Sequence, residues 1–119
     1  MDLFIGGHAQ GKYEYAVKKY PDDFRIINDF HLRVKEELAK YTYTAYSEDI
    51  LAETIFRNLT EGLPVSKTVI ISDDIGCGIV PLDRFDRLWR DVTGKVLIKV
   101  AEMSDNVYRV ICGIVQKIK

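Results

Sequence analysis

The chain is poor in the residues and segments that mark secreted, zinc-binding and membrane proteins. Its 119 residues include 2 cysteines, Cys77 and Cys112, which form no C-x-x-C pair. We therefore expect neither a disulfide framework nor a zinc knuckle. A reducing compartment is the simpler assumption for such a chain. The opening apolar run, residues 3–5, is too short for a signal peptide, and no run approaches the roughly 18 residues of a membrane span. We therefore expect a cytoplasmic protein with no membrane span.

An excess of charge of one sign is also lacking. The 17 basic and 18 acidic side chains leave a formal net charge of −1. Duplex nucleic acid and anionic membranes select a clustered basic face, so neither is expected as the main partner. With 3 prolines, 47% hydrophobic and 29% charged residues, the composition is that of an ordinary globular protein. The length suits a single domain, residues 1–119.

Apolar runs and helical spacings alternate along the chain. Pro21 and Gly62 are expected to end the first and third helices, while Asp29 and Ser47 are expected to cap the second and third. Strands are predicted at residues 3–5, 24–27, 68–72 and 106–114, with helices at 13–20, 30–41, 47–62 and 82–104 and a short end at 115–119. This alternation is typical of a mostly parallel sheet covered by helices on both faces, a three-layer α/β/α fold.

One motif lies directly after the first predicted strand and directly before the first predicted helix. Gly6, Gly11 and Lys12 satisfy G-x-x-x-x-G-K, the pattern of a loop that binds phosphates through backbone N–H groups and a lysine. This context favours a P-loop NTPase-like (RecA-like) domain that binds ATP or GTP. A chance glycine-rich turn is the alternative. The predicted nucleotide-binding residues are Gly6, Gly7, His8, Ala9, Gln10, Gly11, Lys12 and Tyr13. His8 could touch the terminal phosphate or, as the plainer interpretation, point into solvent.

Tyr13 stands where such loops normally place serine or threonine. The usual hydroxyl lies one carbon from the backbone and reaches Mg²⁺ directly, whereas the phenol of a tyrosine lies too far out. We therefore predict weaker Mg²⁺ binding and slower phosphoryl transfer than an intact loop would give.

Three aspartates follow predicted strands and are candidates for acid or metal roles. Asp73 and Asp74 end a buried strand, where a Walker B acid would hold Mg²⁺ or orient a nucleophile. Asp29 likewise follows a strand and could face the phosphates. The plainer alternatives are that Asp73 and Asp74 cap a turn and that Asp29 caps a helix.

The remaining polar and aromatic features have simpler explanations. His31 is interpreted as a residue at the boundary of the core, and both cysteines as buried or half-buried small residues. The arginines at 84, 87 and 90 are expected on an ion-paired helix face, although one of them could reach bound phosphates. The tyrosine-rich connector at residues 41–46 is expected to pack at the edge of the core.

Three stretches together resemble one known family. The loop at residues 6–12, the segment at 73–96 and the ending at 107–119 are similar to the bifunctional adenosylcobinamide kinase and adenosylcobinamide-phosphate guanylyltransferase family of cobalamin biosynthesis. The resemblance implies a P-loop fold that phosphorylates the aminopropanol arm of adenosylcobinamide with ATP or GTP, then attaches GMP through a covalent histidine intermediate. It also implies a catalytic role for Lys12 and Asp74, Mg²⁺ held near Asp29 and Asp74, and a homo-oligomer, often a trimer.

The chain departs from that family at three places. Tyr13 replaces the loop serine, and Asp74 is one methylene shorter than the usual glutamate. Residues 21–23 alone fill the gap in which the family carries its guanylylated histidine. We therefore expect a shortened member that keeps a nucleotide site and the possibility of the kinase step but has lost guanylyl transfer. A non-catalytic binding or scaffold protein, and a small kinase for another substrate, are the alternatives.

Overall fold

The computed structural model describes residues 1–41, 46–76 and 81–119. Within these residues the chain forms five strands, four helices and a short 3-10 turn at Val65–Lys67. The strands are β1 (Asp2–Gly6), β2 (Arg25–Ile27), β3 (Thr68–Asp73), β4 (Asn106–Ile111) and β5 (Ile114–Lys117). The helices are α1 (Lys12–Lys19), α2 (Phe30–Ala39), α3 (Glu48–Thr60) and α4 (Arg84–Met103).

The five strands form one sheet in the order β2-β3-β1-β4-β5. Strands β1 to β4 are mutually parallel, and β5 pairs antiparallel with β4. The register places Gly6, the last residue of β1, between Asp73 of β3 and Val110 of β4. The predicted α/β fold with a mostly parallel sheet is confirmed. The loop with the G-x-x-x-x-G-K motif, residues 6–13, begins at the last residue of the central strand and is called the phosphate loop after the function predicted for it.

Helices cover both faces of the sheet, as predicted, but unequally. On one face α1 packs through Ala16 against a small cluster that includes Phe4 and Ile71. On the other face α2, α3 and α4 pack against a larger cluster that includes Leu3 and Ile70. The side chains of β1 and β3 therefore alternate between two apolar cores, which explains why both strands have three consecutive apolar residues at their centres.

Most of the predicted helix ends are confirmed. Helix α1 ends just before Pro21, and the Ser47 side chain accepts a hydrogen bond of 3.2 Å from the Ile50 N–H at the start of α3. Gly62, with φ of 77°, follows the end of α3. Asp29 is the N-cap residue of α2, as predicted, but its φ is 53° and its side chain makes no cap hydrogen bond.

The end of the chain differs from the prediction of one strand and a short end. Residues 106–114 divide into β4, a tight turn at Cys112 and Gly113, and the start of β5. The φ angles of these two turn residues are 50° and 75°, which suit a two-residue hairpin. Cys112 is therefore exposed rather than buried. Residues 42–45, in the tyrosine-rich connector, and residues 77–80, which include Cys77, lie outside the described residues. None of the helices that the structure describes is long and apolar enough to span a bilayer.

Candidate functional site

The backbone of the phosphate loop is held close to the end of β4. A Cβ added to Gly6 would lie 2.3 Å from the Val110 carbonyl oxygen, so only glycine fits there. Gly11, with φ of 86°, and Ala9, with φ of 55°, both adopt the left-handed region. These turns bring the chain from the carboxyl end of β1 to the start of α1, where the N–H groups of the first helical turn have no partners within the helix.

Lys12 is the first residue of α1, and its side chain is buried, with 6% of the residue exposed. The Nζ atom donates to the Gly7 carbonyl oxygen at 2.6 Å and lies 2.8 Å from Oδ1 of Asp73. A buried ammonium is stable only when it is paired, and this pairing fixes the charge beneath the loop. Since an ammonium carries three protons, one donor is left over after these two contacts.

Asp73 is the centre of a polar cluster. Its Oδ2 atom lies 3.2 Å from Nδ1 of His8 and 3.5 Å from Nε2 of His31, while Oδ1 contacts Lys12. Burial on its own would raise the pKa of Asp73, but the hydrogen bond and the charge of Lys12, with help from the two histidines, hold that pKa below its usual value. Asp73 is therefore an ionised partner for cations rather than a proton donor.

His31 belongs to the same cluster, although the sequence suggested only a boundary position. It is buried, and its Nδ1 atom accepts a hydrogen bond of 3.1 Å from the Asp73 backbone N–H. That contact assigns the proton of the neutral ring to Nε2, the atom that faces the Asp73 carboxylate. Burial lowers the pKa of His31 against the opposing charge of Asp73, so the ring is held neutral. Trp89 of α4 donates from Nε1 to the His31 carbonyl oxygen at 2.8 Å.

A cavity of about 200 Å³ opens above this cluster. It brings together most of the predicted nucleotide-binding residues and the residues that follow β2. The lining residues are His8, Ala9, Gln10, Gly11, Lys12, Tyr13, Glu14, Asn28, Asp29 and Asp73. Tyr13 is 46% exposed, so its ring stands at the mouth rather than inside. The His8 side chain is 91% exposed, in line with the solvent interpretation, but it also contacts Asp73.

Asp74 lies on the other face of the sheet from Asp73. Its backbone N–H donates to the Gly6 carbonyl oxygen at 2.8 Å, and its Oδ1 atom accepts from the Gly76 N–H at 3.3 Å. It lines an apolar groove of about 280 Å³ beside α4, together with Ile5 and Ile98. The two aspartates expected to share a metal, Asp29 and Asp74, thus line different cavities. Among residues 1–41, 46–76 and 81–119, no three His, Cys, Asp or Glu side chains are arranged to hold a metal ion.

The helix arginines are mostly engaged near their own helix. Arg87 donates from Nη1 to the carbonyl oxygens of Pro81 and Leu82, at 3.2 and 2.7 Å, and Arg90 pairs with the neighbouring Asp91 at 3.1 Å. None of the three predicted arginines lines the cavity above Lys12.

The chain is thus an α/β protein with a G-x-x-x-x-G-K loop after its central strand, and its sequence matches a known family. A profile of the family described as cobinamide kinase / cobinamide phosphate guanyltransferase matches residues 12–118. The chain belongs to this family.

Two curated relatives are similar over a shorter stretch. The bifunctional adenosylcobalamin biosynthesis protein CobU of Salmonella typhimurium (strain LT2) is 41% identical over 54 residues, and the protein of the same name from Escherichia coli (strain K12) is 39% identical over 54 residues. Each match covers 45% of this chain and 30% of the relative. The similarity thus spans less than a third of the length of these relatives.

Proposed function

We propose that this chain binds the triphosphate of ATP or GTP at the phosphate loop and transfers the γ-phosphoryl group to a hydroxyl of adenosylcobinamide. The observation that carries the proposal is the position of Lys12: a buried ammonium at the start of a helix, at the carboxyl end of the central parallel strand, held by Gly7 and Asp73. Ligands of parallel α/β sheets bind at this edge, and helix N-termini favour anions.

Both the backbone of the phosphate loop and the side chain of Lys12 can bind phosphate oxygens. The first N–H groups of α1 have no partner within the helix, and together with N–H groups of the phosphate loop, whose residues line the cavity, they can donate to phosphate oxygens. The third proton of Lys12 supplies a charged donor, and its hydrogen bond would strengthen as the bond to the γ-phosphorus breaks and negative charge moves onto the leaving β-phosphate. Asp73 acts by positioning Lys12, since its carboxylate is engaged and its pKa is lowered.

Mg²⁺, when bound, would screen the charge of the β- and γ-phosphates. Mg²⁺ commonly binds through one or two carboxylates plus phosphate oxygens and water. Asp29 suits this role: it lines the cavity, and no hydrogen bond or ion pair of its carboxylate is found in the described part of the chain. The metal and catalytic roles expected for Asp74 stay predictions, and its location in the groove beside α4 gives them no support.

Guanylyl transfer is proposed to be lost. The connection between α1 and β2 is short and contains no histidine. Of the two histidines in the sequence, His8 lies in the phosphate loop and not in this connection, and His31 is buried with Nδ1 accepting a backbone hydrogen bond and Nε2 facing Asp73. This ring has no free nitrogen to attack a nucleotide.

By the resemblance we also propose a cytoplasmic homo-oligomer, with light scattering as the measurement that distinguishes a trimer from a monomer.

The test follows two labels from one nucleotide into the corrinoid product. GTP labelled at the γ-phosphorus reports phosphoryl transfer to adenosylcobinamide, and GTP labelled at the α-phosphorus reports guanylyl transfer. We expect the γ label in the product and the α label in released GDP. Incorporation of the α label would contradict the loss of the second step. Absence of both labels, in wild type and in Lys12→Met alike, would contradict the kinase assignment.

A second candidate is favoured by Tyr13. A nucleotide-binding protein without catalysis would keep the loop and Lys12 but would not need the small hydroxyl that normally coordinates Mg²⁺. Such a protein would bind GTP or ATP in the titrations below and transfer neither label.

A further inference from the structure

The two histidines beside Asp73 differ in how many of their ring nitrogens are engaged. His31 is buried and both of its nitrogens are engaged, since Nδ1 accepts from the Asp73 N–H and Nε2 faces the carboxylate. The His8 side chain is 91% exposed and contacts Oδ2 of Asp73 through Nδ1, at 3.2 Å. No hydrogen bond or ion pair of His8 Nε2 is found among the residues that the structure describes. The ring of His8 therefore has one nitrogen left for a ligand.

Asp73 determines which nitrogen of His8 carries the proton. Although burial on its own would raise the pKa of Asp73, Lys12 holds that pKa below its usual value, so the carboxylate is ionised and only accepts hydrogen bonds. Nδ1 of His8 is then the donor, and in the neutral ring Nε2 holds a lone pair. A lone pair repels phosphate oxygens and attracts an O–H group. The free nitrogen of His8 thus suits a hydroxyl rather than the nucleotide.

The ring of His8 lies beside the place where a terminal phosphate would bind. His8 and Lys12 contact the two oxygens of the same Asp73 carboxylate, at 3.2 and 2.8 Å. Both residues line the cavity above that carboxylate. The lysine of such a loop binds the β- and γ-phosphates. A γ-phosphate on Lys12 would therefore have the exposed ring of His8 as a near neighbour.

Backbone contacts hold His8 in place although its side chain is exposed. Lys12 Nζ donates to the carbonyl oxygen of Gly7 at 2.6 Å, and Gln10 Nε2 donates to that of His8 at 3.3 Å. Gln10 is itself held, because its carbonyl oxygen accepts the Gly113 N–H at 3.0 Å. The loop thus fixes the backbone of His8 while Asp73 orients its ring. A catalytic base needs this kind of fixed position.

We propose that His8 is the general base of phosphoryl transfer, and that its Nε2 accepts the proton of the acceptor hydroxyl while the hydroxyl oxygen forms its bond to the γ-phosphorus. The bond from the γ-phosphorus to the bridging oxygen breaks in the same step, and its electron pair leaves with ADP or GDP. Asp73 stays ionised and stabilises the imidazolium that results. The exposed ring then returns the proton to water. This inference rests on the proposed kinase activity and adds the side chain that deprotonates the acceptor.

The test measures transfer of the γ label from GTP to adenosylcobinamide by the wild type, His8→Ala and His8→Asn. Because general-base catalysis contributes roughly 100-fold or more, we expect kcat to fall by about that factor in both variants. The side-chain N–H of His8→Asn can keep the contact with Asp73, so a base is lost there without the hydrogen bond. The Kd of GTP, measured by calorimetry, should not change in either variant, since Nε2 contacts the acceptor.

Chemical rescue separates a missing base from a disturbed loop. Imidazole added to His8→Ala should restore part of the lost rate, in proportion to the concentration of its neutral form. Lys12→Met is the control, because it is impaired in phosphate binding rather than in proton transfer, and imidazole should not restore its activity.

The position of the ring proton can be measured without turnover. Nitrogen-15 spectra of histidine side chains report the tautomer, and His8→Ala assigns the two rings. Above the pH at which the rings titrate, we expect His8 to be protonated at Nδ1 and His31 at Nε2. A neutral His8 protonated at Nε2 would have no lone pair there and would overturn the inference.

The kinetic outcomes distinguish this inference from the proposed function. Wild-type kcat in His8→Ala or His8→Asn, or no response of His8→Ala to imidazole, would overturn the inference and leave the proposed function standing. So would a γ label attached to His8 itself, since it would identify a nucleophile instead of a base. If the wild type transfers no γ label, the proposed function fails and the inference fails with it.

Discussion

At the residue scale, Tyr13 determines which groups could hold a metal ion in the proposed site. Its ring lines the mouth of the cavity above Lys12 and is 46% exposed, so it is a solvent-facing substitution that the core does not require. The phenol oxygen cannot occupy the position of a serine hydroxyl beside the backbone. In the proposed site, the charge of a bound triphosphate would therefore be balanced mainly by Lys12, the loop N–H groups and a metal ion held without this ligand.

Replacing Tyr13 by serine should restore dependence on Mg²⁺. We expect Tyr13→Ser to bind GTP about tenfold more tightly with Mg²⁺ than without it, because a hydroxyl close to the backbone can coordinate the ion directly. Tyr13→Phe, which removes only the phenol oxygen, should behave as the wild type does. Calorimetric titration with and without the metal measures both. An identical response to Mg²⁺ in all three proteins would contradict this role for position 13.

Asp73 and Asp74 illustrate what one sequence can and cannot specify about the site. Strand alternation places Asp73 on the side of Val69 and Ile71, which is the side covered by α1 and the loop. Asp74 falls on the side of α4. Because β3 is apolar on both faces, the sequence does not show which face α1 covers. Strand alternation in the sequence therefore limits the acid beside Lys12 to Asp73 or Asp74 but does not decide between them.

At the scale of single elements, the end of β1 requires a glycine at position 6, whereas the middle of α4 does not require one at position 94. At Gly6 the backbone of β4 leaves no room for a Cβ, since the nearest atom would be the Val110 oxygen at 2.3 Å. At Gly94, inside α4, nothing lies within 4 Å of an added Cβ. The first glycine is needed for the loop to leave the sheet, and the second only weakens its helix.

The same substitution should therefore have opposite effects at the two sites. Gly6→Ala is expected to lower the free energy of unfolding by about 3 kcal/mol, through overpacking against backbone. Gly94→Ala is expected to raise it by about 0.5–1 kcal/mol. Urea unfolding followed by circular dichroism measures both. A Gly6→Ala protein as stable as the wild type would show that the loop is not held against β4 as described.

Elements defined by local signals could be predicted, and those that depend on distant contacts could not. Ser47 and Pro21 bound helices by chemistry within a few residues, and both predictions are confirmed. Strand β5 depends on pairing with β4 across a Cys112–Gly113 turn, which lacks the Asn-Gly or Asp-Gly signal of a hairpin. His31 reaches Asp73 across 42 positions in the chain, and no local pattern encodes such a contact.

On the scale of the whole molecule, His31 connects three elements, α2, β3 and α4. It lies on α2, accepts a hydrogen bond from the backbone of β3 and receives another from Trp89 of α4 at its carbonyl oxygen. The charged groups that act on its ring are Asp73, Asp29, Lys12 and His8. Protonation would turn Nδ1 from an acceptor into a donor and break the contact with the Asp73 N–H.

Stability should consequently fall as the solution becomes mildly acidic. An unfolded histidine titrates near 6.5, and burial lowers the pKa of His31 below that value in the folded protein. The unfolded chain then binds more protons below this pH, so the contribution of His31 is present above it and is lost on acidification. His31→Asn keeps an acceptor at the place of Nδ1 but cannot titrate, and its unfolding free energy should change less between about pH 7 and 5.

The control for this prediction is the other histidine. His8→Asn removes an exposed ring and should keep the acid-dependent loss seen in the wild type. A His31→Asn protein with the same loss as the wild type would show that protonation of His31 is not its cause.

The measurement that tests the central claim most directly is a calorimetric titration of GTP and ATP into the wild type, Lys12→Met and Lys18→Met. Lys18 lies exposed in the last turn of α1, so its substitution removes the same charge from the same helix without touching the loop. We predict binding at about micromolar Kd in the wild type and in Lys18→Met. In Lys12→Met, loss of a charged hydrogen bond should weaken binding roughly 10- to 100-fold. No binding by the wild type, or equal binding by all three proteins, would contradict a nucleotide site built on Lys12.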